Sequence, residues 1–518
     1  MTTAAALGVP EIFNAAAHFV DRHLREGRAG KVAIECGDEA VTYAQLHERV
    51  NRFGSALRAR CGVGAGARVA LMLVDGPAFA YGFFGSIKIG AVPIPTNTLW
   101  KAADYEYLLN DSAARVLVIS EELIPELSRI PRDRLRALEH VVVVGRPTLP
   151  GSMAFERFLA EGSPDLEPAP TGRDAPAFWL YSSGSTGTPK GCVHLQHDMV
   201  VSAELFAKGV LGIRESDRCF SVAKLFFAYG LGNALYFPLA VGATSILWGG
   251  PPTPSNVYRV IERHRPTIFY SVPTGYGMLL AHRSDHDLSS IRVAVSAGEA
   301  LPPALYERFK RRFGIEVLDG IGSTEALQTF ISNRPGAIRP GSSGRLVPGY
   351  DARILDDRGT PVATGDIGHL WVAGDSTCAG YWNQPGKSAA TIVDGWLRTG
   401  DKYSQDGDGY FWYAGRTDDM LKVGGLWVSP VEIENVLVEH PAVRECGVVG
   451  REDHDTLVKP AAYIVLRERD AASPDLAAEL QRFVRERLAD YKRPRWVEFV
   501  ADLPKTPTGK VQRFKLRS

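Results

Sequence analysis

Short β-branched runs alternate with amphipathic segments through the first part of the chain. Between the runs lie segments whose apolar residues recur at helical spacing, such as "PALYERFKRRFG" at 303–314. The alternation is typical of βαβ units, so we predict an α/β fold with a large N-terminal domain of parallel-sheet subdomains. The predicted strands are "ARVALMLV" at 67–74, "ARVLVIS" at 114–120, "HVVVVG" at 140–145, "ATSILWG" at 243–249, "PTIFYSV" at 266–272 and "IRVAVSAG" at 291–298.

The pattern changes near residue 341, where short Gly-rich strands such as "GHLWVAG" and "GYFWYAG" begin. They predict a small, antiparallel, barrel-like subdomain. After "GRTDD" (415–419), "SPVEIENVLVEH" predicts a helix with Ser429 as N-cap and Pro430 in its first turn, at the start of an α+β tail. We therefore expect an N-terminal domain over 1–417 and a small C-terminal domain over 418–518.

Composition limits the class of protein. The 518 residues include 59 Lys+Arg and 59 Asp+Glu, a balance that gives no electrostatic footprint for nucleic acid or an acidic membrane. The six cysteines form no C-x-x-C pair, which favours reduced thiols over a zinc site. The N-terminus lacks a basic segment before its apolar residues, and the apolar stretch 231–250 is interrupted by Pro238 and Gly242. We predict a cytoplasmic protein that is not inserted in a membrane.

One loop, "YSSGSTGTPKG" at 181–191, has the composition of an anion cradle. Gly and Ser let backbone N–H groups turn towards one phosphate, and Lys190 adds a positive charge. Taken alone, such a loop could equally be a flexible turn. It is not a P-loop, because Pro189 stands where that motif needs its second Gly, and it contains no G-x-S-x-G nucleophile elbow.

The loop resembles the phosphate-loop signature of the acyl-adenylate-forming superfamily, which includes acyl-CoA synthetases, nonribosomal peptide adenylation domains and luciferase. Further stretches resemble the superfamily's other motifs in the same order: "GSTE" (322–325), "WLRTGD" (396–401), "GRTDDMLKVGG" (415–425) and "PKTPTGK" (504–510). The resemblance implies an enzyme that joins a carboxylate to AMP, releases pyrophosphate and then lets a thiol displace the AMP. ATP, Mg²⁺ and coenzyme A are the cofactors and co-substrates it implies.

The resemblance also implies roles for individual residues. Thr324, Glu325, Lys190 and Lys510 would be catalytic, with Glu325 helping to hold Mg²⁺ and Lys510 bridging the carboxylate and ATP oxygens. The expected ATP and AMP contacts are Ser182, Ser183, Gly184, Ser185, Thr186, Gly187, Ala297, Gly298, Glu299, Asp319, Gly320, Thr324, Asp401 and Arg416.

In this superfamily the C-terminal domain rotates between the two half-reactions. Asp418 matches the hinge position, and Lys422, Gly424 and Gly425 match the segment that replaces Lys510 for thioester formation. Glycines there would let the pantetheine arm of CoA pass close to the backbone.

The segment "KLFFAYGLGNALYFPL" (224–239) matches the part of the superfamily's sequence that lines the acid-binding pocket, so the resemblance implies that it lines the pocket here. The predicted pocket residues are Phe226, Phe227, Ala228, Tyr229, Gly230, Ile321, Gly322, Ser323 and Gln328. Phe227 and Ile321 stand where many relatives have His and Tyr, which favours a flat aryl group and resembles the benzoate-CoA ligase branch. His is usual in that branch at Gln328. A Gln offers both a donor and an acceptor, so we expect Gln328 to hydrogen-bond a substituent on the ring of the acid. We expect benzoate, 2-aminobenzoate or a hydroxybenzoate as the aryl carboxylic acid.

Several alternatives stay open at this point. The enzyme could instead load a carrier-protein phosphopantetheine, and a degenerate protein that binds an acyl nucleotide without turnover is a second alternative. A homodimer is not excluded. His194 and His197 in "HLQH" are interpreted as structural histidines because no third metal ligand is evident, and Cys192 as a packing residue.

Overall fold

The structure is a computed structural model of the chain. It describes residues 1–182, 189–282, 286–417, 419–423, 426–454, 457–468, 472–505 and 511–517, and of Lys422, Leu426 and Trp427 it describes the backbone alone.

The N-terminal part of the chain forms a parallel sheet covered by helices. The strand order in this sheet is β4-β3-β5-β6-β7, and each pair of neighbouring strands is parallel. The longest helix, α2, begins at a capping box in which the Thr42 side chain accepts from the backbone N–H of Gln45, and it ends at the left-handed Gly62. The elements are β1 (Val32–Cys36), β2 (Glu39–Thr42), β3 (Arg68–Met72), β4 (Val92–Pro95), β5 (Val116–Ser120), β6 (His140–Val144), β7 (Met153–Ala154), α1 (Arg22–Arg25), α2 (Tyr43–Cys61), α3 (Pro77–Lys88), α4 (Ala102–Asp111), α5 (Ile124–Leu127) and α6 (Phe155–Ala160), with a π-helical turn at Ala17–Asp21 and 3₁₀ turns at Glu121–Leu123 and Arg132–Arg134.

A second, larger sheet follows. Within the described residues it has nine strands in the order β16-β15-β14-β13-β12-β10-β11-β1-β2, parallel from β14 to β1 and antiparallel at both edges. The elements are β8 (Pro176–Ser182), β9 (Lys190–Leu195), β10 (Arg218–Ser221), β11 (Thr244–Leu247), β12 (Ile268–Ser271), β13 (Val293–Ser296), β14 (Val317–Gly322), β15 (Thr329–Ser332), β16 (Arg345–Leu346), α7 (Asp198–Ser202), α8 (Ala228–Leu231), α9 (Phe237–Val241), α10 (Pro254–His264), α11 (Pro273–Ala281) and α12 (Pro303–Phe313), with π-helical turns at Ala203–Lys208 and Gly232–Tyr236.

The Gly-rich region beyond residue 341 forms an antiparallel sheet of five strands, in keeping with the predicted subdomain. Two of its strands, β20 and β21, pair so that Asp401 lies opposite Arg416. The elements are β17 (Asp351–Leu355), β18 (Gly368–Ala373), α13 (Pro385–Thr391), β19 (Ile392–Val393), β20 (Trp396–Gln405) and β21 (Phe411–Arg416).

The C-terminal part has its own core. Helices α14 and α15 pack through Ile433, Leu437, Leu480 and Val484 against the sheet β24-β25-β26. The Ser429 side chain accepts from the backbone N–H of Glu432, so the predicted N-cap of α14 is confirmed. The elements are β22 (Leu421–Val423), β23 (Leu426–Val428), α14 (Pro430–Leu437), β24 (Val443–Glu452), β25 (Val458–Leu466), α15 (Pro474–Arg485) and β26 (Trp496–Phe499), with 3₁₀ turns at Asp490–Lys492 and Arg513–Leu516.

The predicted α/β fold is confirmed, including its parallel sheets and its small C-terminal domain. Each of the six predicted strands contains an observed strand, β3, β5, β6, β11, β12 and β13, and the helix predicted at 303–314 is α12. The domain boundary between 417 and 418 stays a prediction.

Candidate active site

One face of strand β9 carries three of the side chains that build the candidate site. Lys190, Cys192 and His194 alternate along the strand and therefore point to the same side. The strand pairs with β8 so that Ser182 lies opposite Lys190. Ser183, Gly184, Ser185, Thr186 and Gly187, which were predicted to bind phosphate, lie outside the described residues.

The turn that follows β14 contains Thr324 and Glu325. The Ser323 hydroxyl accepts from the backbone N–H of Ala326 at 3.1 Å, and Leu327 has a positive φ of 65°. The turn thus changes direction within a few residues and brings Thr324 and Glu325 towards β9. Both residues are partly accessible, which leaves them free to meet a ligand.

Tyr381 joins the two predicted catalytic groups. Its hydroxyl donates to Glu325 Oε1 at 2.8 Å, and the Lys190 ammonium lies 4.6 Å from the centre of its ring. Burial and the Glu325 carboxylate raise the pKa of Tyr381 above its ordinary value, so the phenol stays protonated and donates. Lys190 and Glu325 therefore contact the same tyrosine, which the sequence analysis did not identify.

The backbone of the same turn is held by two further groups. The Thr324 carbonyl accepts from His194 Nε2 at 2.8 Å, and the Glu325 carbonyl accepts from the backbone N–H of Cys378 at 2.7 Å. Cys192 and Cys378 pack together in a small buried cluster beneath these contacts. The position of the carboxylate and hydroxyl on this turn is thus set by packing from β9 on one side and from residues 376–381 on the other.

Two predicted nucleotide-binding segments lie at the carboxyl ends of neighbouring parallel strands. Ala297, Gly298 and Glu299 follow β13. Asp319 and Gly320 lie within β14 where its parallel pairing with β13 ends, with Ser296 opposite Asp319 in the register. Asp319 is buried, and burial raises the pKa of its carboxyl well above its ordinary value. Ligands of open α/β sheets bind at this edge, so the arrangement fits the predicted role.

Asp401 and Arg416 form an ion pair across β20 and β21. Arg416 Nη1 donates to Asp401 Oδ1 and to the Thr399 carbonyl, both at 3.0 Å. Gly400, which lies between Thr399 and Asp401 in the chain, has a φ of 76°, and a Cβ on it would lie 2.7 Å from Arg416 Nη2. The glycine of "TGD" is thus required both by the backbone and by the space that the guanidinium occupies. Arg416 also borders a cavity of about 260 Å³ with His369, Trp371 and Arg398.

The predicted acid pocket is built from helix α8 and the residue run before it. The rings of Phe226 and Phe227 lie 4.4 Å apart; Phe226 is buried, and Phe227 is partly accessible. The Tyr229 hydroxyl donates to the Ser271 and Val295 carbonyls, each at 3.2 Å. Ala228 and Gly230 are buried, while Ile321, Gly322 and Ser323 are partly accessible on β14 and its turn.

Gln328 has a different environment from the one expected. Its side chain is only 3% exposed, and its amide nitrogen donates to the Ala228 carbonyl at 3.2 Å and the Tyr229 carbonyl at 3.0 Å. Its amide oxygen accepts from the backbone N–H of Thr329 at 3.1 Å. Gln328 thus joins helix α8, which follows Phe226 and Phe227, to the start of strand β15. A ring substituent would have to displace these partners.

The remaining predicted positions are only partly placed. Asp418, Gly424, Gly425 and Lys510 lie outside the described residues. Lys422 has its backbone in β22.

His194 and His197 each have protein partners on both ring nitrogens, and the described residues contain no group of three or more His, Cys, Asp or Glu placed to hold a metal. No helix in the described part of the chain has the length and apolarity needed to cross a membrane.

Comparison with known proteins places this geometry in context. The family described as "AMP-binding enzyme" matches residues 20–382, and "AMP-binding enzyme C-terminal domain" matches residues 432–510. The chain is 50% identical to the benzoate–CoA ligase of Thauera aromatica, covering 100% of this chain and 98% of that protein.

Two solved structures are also similar. One is the anthranilate CoA ligase AuaEII in complex with anthranoyl-AMP, with a TM-score of 0.94 and 45% identity, covering 99% of this chain and 98% of that chain. The other is a benzoate CoA ligase from Burkholderia xenovorans LB400, with a TM-score of 0.89 and 46% identity, covering 98% of this chain and 100% of that chain.

Proposed function

This chain belongs to the AMP-binding enzyme family, and we propose that within it the protein is an AMP-forming aryl-acid:CoA ligase. The observation that carries the proposal is the 50% identity to a benzoate–CoA ligase along the whole chain. The contacts of Lys190 and Glu325 with the same tyrosine, Tyr381, support it, because the reaction needs charge stabilisation in one place.

In the first half-reaction an aryl carboxylate oxygen attacks the α-phosphorus of ATP, and pyrophosphate leaves. Positioning and electrostatics dominate such a step, since the substrate supplies its own nucleophile. Lys190 and the loop Ser182–Gly187 hold the outer phosphates, Thr324 hydrogen-bonds the α-phosphate, and Lys510 bridges the carboxylate and the ATP oxygens. In the second half-reaction the CoA thiol attacks the carbonyl carbon of aryl-AMP and AMP leaves.

The nucleoside part of ATP is held at the other side of the site. Asp401 accepts from the ribose hydroxyls and Arg416 contacts the ribose or phosphate, while Ala297–Glu299, Asp319 and Gly320 surround the nucleotide. The Asp401–Arg416 ion pair supports this, because each partner fixes the other's rotamer before ATP binds.

Mg²⁺ fits the donors that this chain offers. Glu325 provides one partly accessible carboxylate, and Mg²⁺ in such sites is bound by one or two carboxylates together with substrate phosphates. Glu325 would hold the ion against ATP, and the ion would supply positive charge to offset that of the triphosphate.

The acid is benzoate or a substituted benzoate such as 2-aminobenzoate or a hydroxybenzoate. The rings of Phe226 and Phe227 form an apolar wall suited to a flat group. The resemblance of the fold to a ligase solved with anthranoyl-AMP favours testing 2-aminobenzoate alongside benzoate.

Domain alternation completes the proposal. Asp418 is the hinge, and Lys422, Gly424 and Gly425 line the CoA thiol path after rotation. Lys510→Ala should then abolish aryl-AMP formation while leaving the conversion of supplied aryl-AMP and CoA to aryl-CoA. Equal loss of both half-reactions would contradict the alternation.

A pyrophosphate-release screen over aromatic and aliphatic acids, with and without CoA, tests the function. We expect release with benzoates and formation of the aryl-CoA thioester when CoA is present. Release with no thioester from CoA would favour the carrier-protein alternative, and preference for long aliphatic acids would overturn the aryl assignment.

A further inference from the structure

A buried histidine supports the turn that carries Thr324 and Glu325. His194 is 0% exposed, its Nδ1 lies 2.8 Å from Asp198 Oδ2, and its Nε2 lies 2.8 Å from the Thr324 carbonyl oxygen. The ring also stacks on Phe178 at a centroid distance of 5.1 Å. The imidazole is therefore fixed in position and orientation on every side.

The two partners decide its protonation state. A carboxylate and a carbonyl are both acceptors, so each ring nitrogen must carry a proton to make these contacts. A neutral imidazole would place one lone pair against an oxygen at 2.8 Å. Beside an ionised Asp198, the hydrogen-bond pattern therefore requires an imidazolium, and the Phe178 face suits a cation.

The electrostatic surroundings agree with this. Burial alone would lower the pKa of His194, but the hydrogen bond and charge of Asp198 and the Thr324 carbonyl more than offset it, so the pKa is raised. Cys378 also faces the ring, and Asp198 is shared with His197, which itself lies near Asp174 and Asp375.

We propose that His194, held as an imidazolium by Asp198, is a positioning residue that fixes the Thr324 carbonyl and thereby the catalytic turn. The proposal rests on the proposed function, because the value of the turn is the contact of Thr324 with the α-phosphate. His194 does not touch the reacting atoms. By holding the Thr324 carbonyl, it sets where the Thr324 hydroxyl lies.

His197 provides a matched control. It is also buried and also contacts Asp198, but its ring nitrogens lie 2.9 Å from the Arg173 and Asp375 carbonyls instead of contacting the Thr324 carbonyl. His194→Gln and His197→Gln should both lower the melting temperature, since each loses buried hydrogen bonds. A purely structural role for His194 would make the two variants alike in activity.

The first measurement uses the full chain labelled with ¹⁵N-histidine. At pH 8 the His194 ring nitrogens should both show imidazolium shifts, and these should disappear in His194→Gln. A neutral tautomer at pH 8 would overturn the proposal whether or not the enzyme is active.

The second measurement is pyrophosphate release with benzoate. For His194→Gln we expect kcat to fall by up to about a hundredfold, as for displaced positioning groups, with the KM for the acid within about twofold. His197→Gln should keep a kcat close to that of the unaltered protein. Equal kcat losses in both variants would contradict a positioning role.

The two failures are distinguishable. If the unaltered protein releases no pyrophosphate with any acid, the proposed function fails, and MgATP binding by calorimetry then replaces turnover. His194→Gln should weaken that binding more than His197→Gln, and equal affinities would overturn the positioning proposal.

Discussion

The Tyr381 hydroxyl donates to Glu325 Oε1 at 2.8 Å, while the same ring lies under the Lys190 ammonium. Tyr381→Phe removes the hydrogen bond and keeps the ring. A hydrogen bond to a charged acceptor contributes about 1.5–3 kcal/mol, so kcat for aryl-AMP formation should fall roughly tenfold to hundredfold. The measurement is the rate of pyrophosphate release at saturating ATP and benzoate.

Tyr105→Phe is the control for that experiment. Tyr105 is also buried and its hydroxyl donates to the Asn97 carbonyl, in a core away from the turn. It should change stability and leave kcat within about twofold. An unchanged kcat in Tyr381→Phe would show that Glu325 needs no support from the phenol.

Comparing Gly400→Ala with Gly395→Ala distinguishes the effect of backbone strain from the effect of a steric clash with Arg416. Gly400→Ala places a Cβ in a left-handed conformation and 2.7 Å from Arg416 Nη2, whereas Gly395→Ala meets the same φ preference, at 77°, with nothing within 4 Å. Both should lose about 1–2 kcal/mol of unfolding free energy, measured by urea titration. Only Gly400→Ala should also raise the KM for ATP, because it displaces the guanidinium; equal KM values in the two variants would contradict this.

Much of the fold could be predicted from the chain, because β-branched runs between amphipathic helices leave few arrangements other than parallel sheets. Lys190, Thr324, Glu325, Asp401 and Arg416 could be proposed as site residues from the sequence because each belongs to a short motif. Tyr381 could not, since its contacts with Lys190 and Glu325 depend on long-range packing between β9, the turn after β14 and residues 376–381. The role of His194 depends on the same packing.

The contacts of Gln328 also could not be predicted from the sequence. Its donor and acceptor were expected to face a ring substituent, but both face backbone groups of Ala228, Tyr229 and Thr329. Gln328→Leu should therefore lower kcat/KM for benzoate and 2-aminobenzoate by similar factors. The reason is that helix α8, next to Phe226 and Phe227, loses its hydrogen bonds to the Gln328 amide. A selective loss for 2-aminobenzoate would instead show that the amide reaches the substituent. Kinetics with both acids on one preparation decide between these outcomes.

The lowered pKa of His23 predicts how the free energy of unfolding changes as the pH falls. Its Nε2 lies 2.8 Å from the Leu239 carbonyl and its Nδ1 lies 3.2 Å from Arg28 Nη1, a pattern that suits a neutral ring. Burial and the Arg22 guanidinium lower its pKa to about 4. The unfolded chain takes up this proton near pH 6.5 and the folded chain does not, so stability is lost as pH falls from about 6.5 towards 4, at about 1.4 kcal/mol per pH unit.

His23→Gln keeps a donor and an acceptor and removes the titration. Its free energy of unfolding, measured by denaturant titration between pH 4 and 8, should fall less steeply below pH 6.5 than that of the unaltered protein. His140→Gln, at an accessible ring, should follow the unaltered protein. Parallel curves for all three proteins would show that the pKa of His23 is the same in the folded protein as in the unfolded chain.

The central claim is that an aryl carboxylate is activated as its adenylate and then passed to CoA. A single-turnover experiment followed by mass spectrometry tests it most directly: enzyme in excess over benzoate or 2-aminobenzoate is given MgATP, and CoA is added afterwards. The account predicts enzyme-bound aryl-AMP before CoA and its conversion to aryl-CoA with release of AMP after CoA. Absence of aryl-AMP, or an aryl-AMP that persists when CoA is added, would contradict it.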